Sequence, residues 1–122
     1  ALQFWESLRE QSHSFFLDAS EPLWRLAVNP LSEPVIMGNK VLMEWNGGQR
    51  WVKGNFTSEE VRETAKQGQG HATLFKYPKS HDGSVFTLLS ENPLTSALEI
   101  VQQRVRQTFD PNRVFQTGRM PY

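Results

Sequence analysis

KVLMEWNGGQRWVKGN, residues 40–55, decides how the chain is read. Two short runs of β-branched, aromatic and long apolar residues flank Asn46-Gly47, a pair whose tolerance of positive φ suits the type I′ turn of a tight hairpin. With a loop of two or four residues, Val41, Met43, Trp45, Arg50 and Val52 share one face. Leu42, Glu44, Gln49 and Trp51 share the other, because side chains alternate along a strand. Both faces are mixed. A sheet with one wet face divides more cleanly, so each face of this hairpin is expected to be at least partly covered. Glu44, Gln49 and Arg50 then either wall a binding site or stand on the solvent side of a small sheet.

Working outward, EPLWRLAVN (21–29) alternates, with Trp24, Leu26 and Val28 against Leu23, Arg25 and Ala27, and predicts a strand. Before it, Leu2, Trp5, Leu8, Phe15 and Phe16 recur at helical intervals, predicting one amphipathic helix from Leu2 to about Phe16 that ends near Asp18. Two prolines and a Gly-Asn pair make residues 30–39 a loop. After the hairpin, Thr57 and Glu60 stand in capping-box spacing ahead of a short helix that closes at Gly68, with a thin apolar stripe of Val61 and Ala65. GHATLFKY (70–77) reads as a strand placing His71, Thr73 and Phe75 on one side. The longest helical signal is residues 92–109: Asn92 as cap, Pro93 at the first position, then Leu94, Ala97, Leu98, Val101, Val105 and Phe109 in register, expected to pack across the sheet. The order predicts an α+β domain, an antiparallel sheet of about four strands with helices packed on it.

At 122 residues and 38% hydrophobic, the chain is the size of one domain with a real core, and residues 1–122 are read as one. Thirteen basic and thirteen acidic residues cancel, which removes the long-range field that gathers polyanions; nucleic acid is not an expected partner. The absence of cysteine excludes disulfide scaffolds, thiolate zinc sites and cysteine nucleophiles together. No apolar run has the length of a membrane span and no segment has the pattern of a signal peptide, so a cytoplasmic protein is expected. The chain begins without Met and inside an apparent helix, as a piece cut from a longer polypeptide would.

The chemistry-bearing residues are few. The glycines of NGGQ and GQGH lack the order of a phosphate-binding loop and read as structural turns. His13, His71 and His81 show no metal-ligand spacing, so no metal is expected. His71 opens a strand beside small residues, where an imidazole either meets a ligand or acts as acid or base, or is simply buried and hydrogen-bonded. Arg25 and Arg50 lie within strands. Each either sits at an edge and reaches solvent, or holds a carboxylate through paired hydrogen bonds, with Glu44 as the plain structural partner. The serines lack an activating context, and Trp5, Trp24, Trp45 and Trp51 read as core rather than as a stacking platform.

The tail adds a resemblance. FDPNRVFQTGRM (109–120) resembles the ending of the FAD-linked oxidase C-terminal domain, the family of vanillyl-alcohol oxidase and D-lactate dehydrogenase. With PLWRLAVN, EWNGGQRWV and GHATLFK, the chain looks closest to the E subunits of bacterial glycolate oxidases within that family, over most of Leu23 to Met120. The resemblance implies a C-terminal cap and substrate domain of a flavoprotein subunit whose N-terminal FAD-binding domain lies outside this chain. It implies oxidation of glycolate, a small 2-hydroxy acid, to glyoxylate. It also implies a complex with a second flavin subunit and an iron-sulfur subunit, peripheral at the inner membrane. The fragment alone is expected to be inactive and not to retain FAD. Relatives commonly carry Asn-Pro-Gly where this chain has Gln116-Thr117-Gly118, so a flavin contact falls to the Gln116 amide if it is kept. On this reading Arg25, Arg50 and His71 approach the cofactor or a carboxylate substrate, with His71 the catalytic candidate. Gly118 and Arg119 lie where the tail returns to the flavin domain. The rival reading is a non-catalytic subunit-docking module that uses exposed tryptophans, Trp45 and Trp51, and the tail; a free-standing small-ligand domain would leave the tail motif unexplained.

Overall fold

The computed structural model describes residues 2–34, 37–78 and 96–115, and the chain divides into two compact units, Ala1–His81 and Asp82–Tyr122. In the first, helices α1 (Leu2–Arg9) and α2 (Ser14–Leu17) precede strand β1 (Leu23–Ala27). Strands β2 (Val41–Glu44) and β3 (Gln49–Lys53) form the hairpin, followed by helix α3 (Ser58–Gln67) and strand β4 (His71–Lys76). The four strands make one antiparallel sheet in the order β2-β3-β1-β4, so β3 and β1 are interior. The architecture is α+β.

Strand parity divides the sheet as the hairpin sequence implies. Val41 pairs with Val52 and Met43 with Arg50, while Leu42 pairs with Trp51 and Glu44 with Gln49. Trp24, Leu26, Arg50, Val52, Ala72 and Leu74 share one face. Leu23, Arg25, Trp51, Lys53, Thr73 and His71 share the other. Helix α3 lies against β4 and β1, with Val61 and Ala65 fully buried. On the opposite face, Leu8 of α1 and Phe16 of α2 cluster with Leu23 and Trp51, and Phe15 and Leu42 pack around them. All five residues of β3 are buried, as a hairpin covered on both faces requires.

The first helix is two. Ser12 N–H donates to the Ser7 carbonyl at 2.9 Å and Gln11 N–H to the Leu8 carbonyl at 3.1 Å, with Gln11 at φ 54°, which is the Schellman closure of α1. His13 then caps α2, its Nδ1 accepting from Phe15 N–H at 3.2 Å. Across this break α1 contributes Leu8 and α2 contributes Phe16 to the aromatic cluster. The hairpin turn also departs from the tight two-residue form: Trp45–Gly47 make a turn of 3-10 helix, with Trp45, Asn46 and Gly47 all at positive φ. Trp45 therefore leaves the strand face expected for it and stands 73% exposed at the tip. Of the four tryptophans, Trp24 and Trp51 are core, whereas Trp5 and Trp45 are exposed.

In the second unit, helix α4 spans Ser96–Phe109; the expected cap at Asn92 and Pro93 lies outside the described residues. Asp110 then anchors the turn that follows, accepting from Val114 N–H at 2.7 Å and Phe115 N–H at 2.9 Å. The aspartate of the Phe-Asp-Pro motif thus shapes the backbone behind it.

Two local signals are testable. Glu60 accepts from Thr57 N–H and Oγ1–H while Thr57 Oγ1 accepts from Glu60 N–H, a complete capping box. These bonds hold the Glu60 carboxyl below its ordinary 4.5. Thr57→Ala should cost about 1 kcal/mol. A lowered carboxyl contributes stability that is full above the ordinary value and lost as pH falls through the lowered one. The gap between native and variant in urea titrations should therefore narrow only below pH 4.5. A side chain at Gly70 would place Cβ 1.9 Å from the Ala27 carbonyl oxygen. Gly70→Ala should destabilise by at least roughly 2 kcal/mol, because backbone rather than a movable side chain stands in the way. Native-like thermal melting of that variant would contradict the close approach.

Candidate functional site

The two strand arginines are separated by the sheet. Arg50, 2% exposed on β3, lies on the α3 side. Its Nε donates to the Gly47 carbonyl at 3.0 Å, Nη1 to the Glu33 carbonyl, and Nη2 to the carbonyl and hydroxyl of Ser32, both at 2.9 Å. The guanidinium fork thus ties the loop after β1 to the hairpin turn, and all three nitrogens are engaged within the protein. A carboxylate at Arg50 would have to displace this loop.

Arg25 lies on the opposite face, on the interior strand β1, and is half-buried. Its register partners are Trp51 on β3 and Thr73 on β4; His71 stands one pair further along, opposite Ala27. Nε of Arg25 donates to Gln49 Oε1 at 2.9 Å. Gln49 Nε2 donates to Glu44 Oε2 at 2.9 Å, and the same oxygen accepts from the indole N–H of Trp51. Glu44 therefore pairs with neither arginine. Nη1 and Nη2 of Arg25 have no hydrogen-bond partner among the described residues. Beside this open edge, Thr73 and His71 are exposed, so the buried-histidine alternative does not hold. Directly opposed side chains on an antiparallel pair are about 5 Å apart and diagonal ones about 7–8 Å, so Arg25, Thr73 and His71 can meet one small ligand.

The end of this face nearer α1 and α2 is closed by apolar and aromatic packing. Phe16 and Trp51 meet edge-to-face at 5.5 Å, and Trp51 and Phe75 at 4.9 Å. Lys53, 4% exposed, donates from Nζ to the carbonyls of Phe15 and Asp18 and lies 5.4 Å from the Phe15 ring centre. Burial pushes its ammonium pKa down, opposed by the Asp18 charge. Within the first unit, the face thus has a packed end and a polar end. An open depression of about 780 Å³ elsewhere is lined by Met37, Phe56, Glu59, Glu60 and Glu63. Its glutamates make it a poor place for an acidic ligand.

Of the expected site residues, Arg25 and His71 are brought together and Arg50 is set apart; Gln116, Gly118 and Arg119 lie outside the described residues, as does His81. Gln49, read with Glu44 and Arg50 as a possible wall of a site, and Thr73, which was not singled out, complete the polar end. Parity put Gln49 beside Glu44 and Thr73 beside His71, but only the pairing of β1 with both β3 and β4 places them around Arg25. No group of three or more metal-ligating side chains is assembled among the described residues.

Across 119 residues the chain is 34% identical to glycolate oxidase subunit GlcE of Escherichia coli (strain K12). The alignment takes in 97% of this chain and 31% of that protein, so the chain spans about a third of the length of the curated relative it matches. No known family profile and no solved structure matches it.

Loss of the Arg50 fork would take the donor from the part-buried hydrogen bonds to the Gly47, Ser32 and Glu33 carbonyls and leave the loop after β1 untied from the hairpin. Arg50→Met should lower the unfolding free energy by roughly 2–4 kcal/mol, and Arg50→Lys should recover only part of it, since an ammonium cannot span the four acceptors that the planar fork reaches. Urea titrations read both. A methionine variant as stable as the native chain would show that the fork holds nothing together.

Proposed function

We propose that this chain is the C-terminal, substrate-side part of an FAD-linked glycolate oxidase subunit, and that Arg25 holds the carboxylate of a small 2-hydroxy acid there. One observation carries the reading: a guanidinium fixed by its Nε edge, with the Nη1–Nη2 edge open beside exposed Thr73 and His71. Similarity to a glycolate oxidase subunit and the FDPNRVFQTGRM tail support it.

The parallel N–H groups of that edge match the two oxygens of a carboxylate. Arg25 would orient the acid, Thr73 would offer a hydroxyl to it, and His71 would take the proton of the substrate hydroxyl. FAD, when bound, supplies two-electron oxidation of the adjacent C–H. The described residues do not fit the dinucleotide itself. Each described glycine has its Cβ position filled from within the fold, by Phe56 at Gly38 and Gly54, by Pro30 at Gly47, by Trp45 and Pro30 at Gly48, by Val28 at Gly68, and by Ala27 at Gly70. The pyrophosphate would be held by the N-terminal domain that this reading requires. Gln116, Gly118 and Arg119 are assigned to the side of the chain that meets it.

Electrons would leave through a second flavin subunit and an iron-sulfur subunit, in the cytoplasm or at the inner membrane surface. No described helix is long and apolar enough to cross a membrane. The docking alternative has one specific support, the exposed Trp45 at the hairpin tip; Trp51, at 5% exposure, belongs to the core and is not available for it.

In the intact subunit, Arg25→Met should reduce kcat/KM for glycolate by roughly ten- to a hundredfold, the worth of a charge-assisted pair, while flavin absorbance is retained. Unchanged kinetics for that variant, together with lost subunit assembly in Trp45→Ser, would favour the docking module instead.

A further inference from the structure

Arg25 is held by an amide where a carboxylate would ordinarily stand. Gln49 accepts from Arg25 Nε and donates to Glu44, both at 2.9 Å, and Gln49 itself is 7% exposed. The orientation of the amide is dictated from both ends. A guanidinium only donates and a carboxylate only accepts, so a flipped Gln49 would oppose donor to donor and acceptor to acceptor. Glu44 is fixed in turn by the indole N–H of Trp51, which is locked between Phe16 and Phe75. A rigid aromatic core thus reaches Arg25 through two polar side chains.

Resting on the reading of Arg25 as a carboxylate holder, we propose that Gln49 is a positioning residue: oriented by Glu44, it docks Arg25 by its Nε edge while leaving the charge and the Nη1–Nη2 edge free for a carboxylate ligand. The neutrality of the spacer matters. Glutamate at this position, with Glu44→Gln supplying the N–H between the two side chains, would give the same docking geometry but would pair the charge directly, and an incoming carboxylate would meet a neutralised, like-charged site. An alanine would keep the charge and lose the docking, so the ligand would bear the entropy of ordering the guanidinium.

The test is titration of the ¹⁵N-labelled chain with acetate, read at the arginine Nε–Hε resonances. In the native chain the Arg25 signal should exchange slowly with water and shift saturably. In Gln49→Glu, paired with Glu44→Gln so that an amide N–H still faces the new carboxylate and an amide oxygen still faces the Trp51 indole, the slow exchange should persist while the acetate Kd rises about tenfold or more. In Gln49→Ala, which adds no charge, Arg25 Nε–H exchange should quicken about tenfold and acetate binding should weaken. A merely structural glutamine would not separate docking from affinity in this way. Equal acetate affinity in native and Gln49→Glu chains overturns the spacer role and leaves the reading of Arg25 standing, as does unchanged exchange in Gln49→Ala for the docking role. No saturable response at Arg25 in the native chain overturns both.

Discussion

Every side chain of β3 is buried, and three of the five are polar. Burying a polar group without a partner costs free energy comparable to a lost hydrogen bond, and an unpaired buried charge costs far more. The surrounding structure answers that demand at each position. Gln49 is taken up by Arg25 and Glu44, Arg50 by the carbonyls of the loop after β1, and Lys53 by the carbonyls at the end of α2. Three separate pieces of chain are thereby tied to one strand. Removing any of the three side chains would release a different part of the first unit.

The same arrangement gives residues of one type different hydrogen-bonding environments. Arg50 meets only backbone and a serine and is spent on the fold. Arg25, two strand positions from the aromatic cluster's Leu23, is braced through one nitrogen and keeps two donors in reserve. Lys53 shows the cost of the structural role: burial lowers its pKa, opposed by the Asp18 charge, and two carbonyls and the Phe15 ring face its ammonium. At the polar end of the face, an arginine with two nitrogens unpartnered among the described residues stands beside exposed Thr73 and His71. In the second unit, Asp110 spends both carboxylate oxygens on the backbone of the turn.

Local signals in the sequence were legible wherever the structure they specify is itself local. The capping box of Thr57 and Glu60, the Gly68 terminus, the Val61 and Ala65 stripe, and the alternation of His71, Thr73 and Phe75 all appear as read. The break at Gln11 was not legible. A glutamine at positive φ is uncommon, and the apolar spacing from Leu2 to Phe16 runs through the break, although only Leu8 of α1 and Phe15 and Phe16 of α2 join the cluster on the sheet while Leu2 and Trp5 are exposed. Trp45 was misplaced for a related reason. Asn46-Gly47 suggested a two-residue turn, whereas the chain extends positive φ back to the tryptophan and lifts it out of the strand.

By itself the sequence determined the fold class, the parity of the strands and the caps of α3, since these depend on residues a few positions apart whose sterics and hydrogen bonds act along the chain. It also narrowed the chemistry to two arginines and one histidine. Which arginine is available was decided only by tertiary structure. Arg25 and Arg50 both lie within strands beside a tryptophan, in Trp24-Arg25-Leu26 and Gln49-Arg50-Trp51. Their fates differ because strand pairing set β3 and β1 so that a loop of carbonyls closes over one arginine, while a single amide meets the other. Partners 17 and 24 residues away exert no influence on local propensity, and only the assembled sheet brings them within reach.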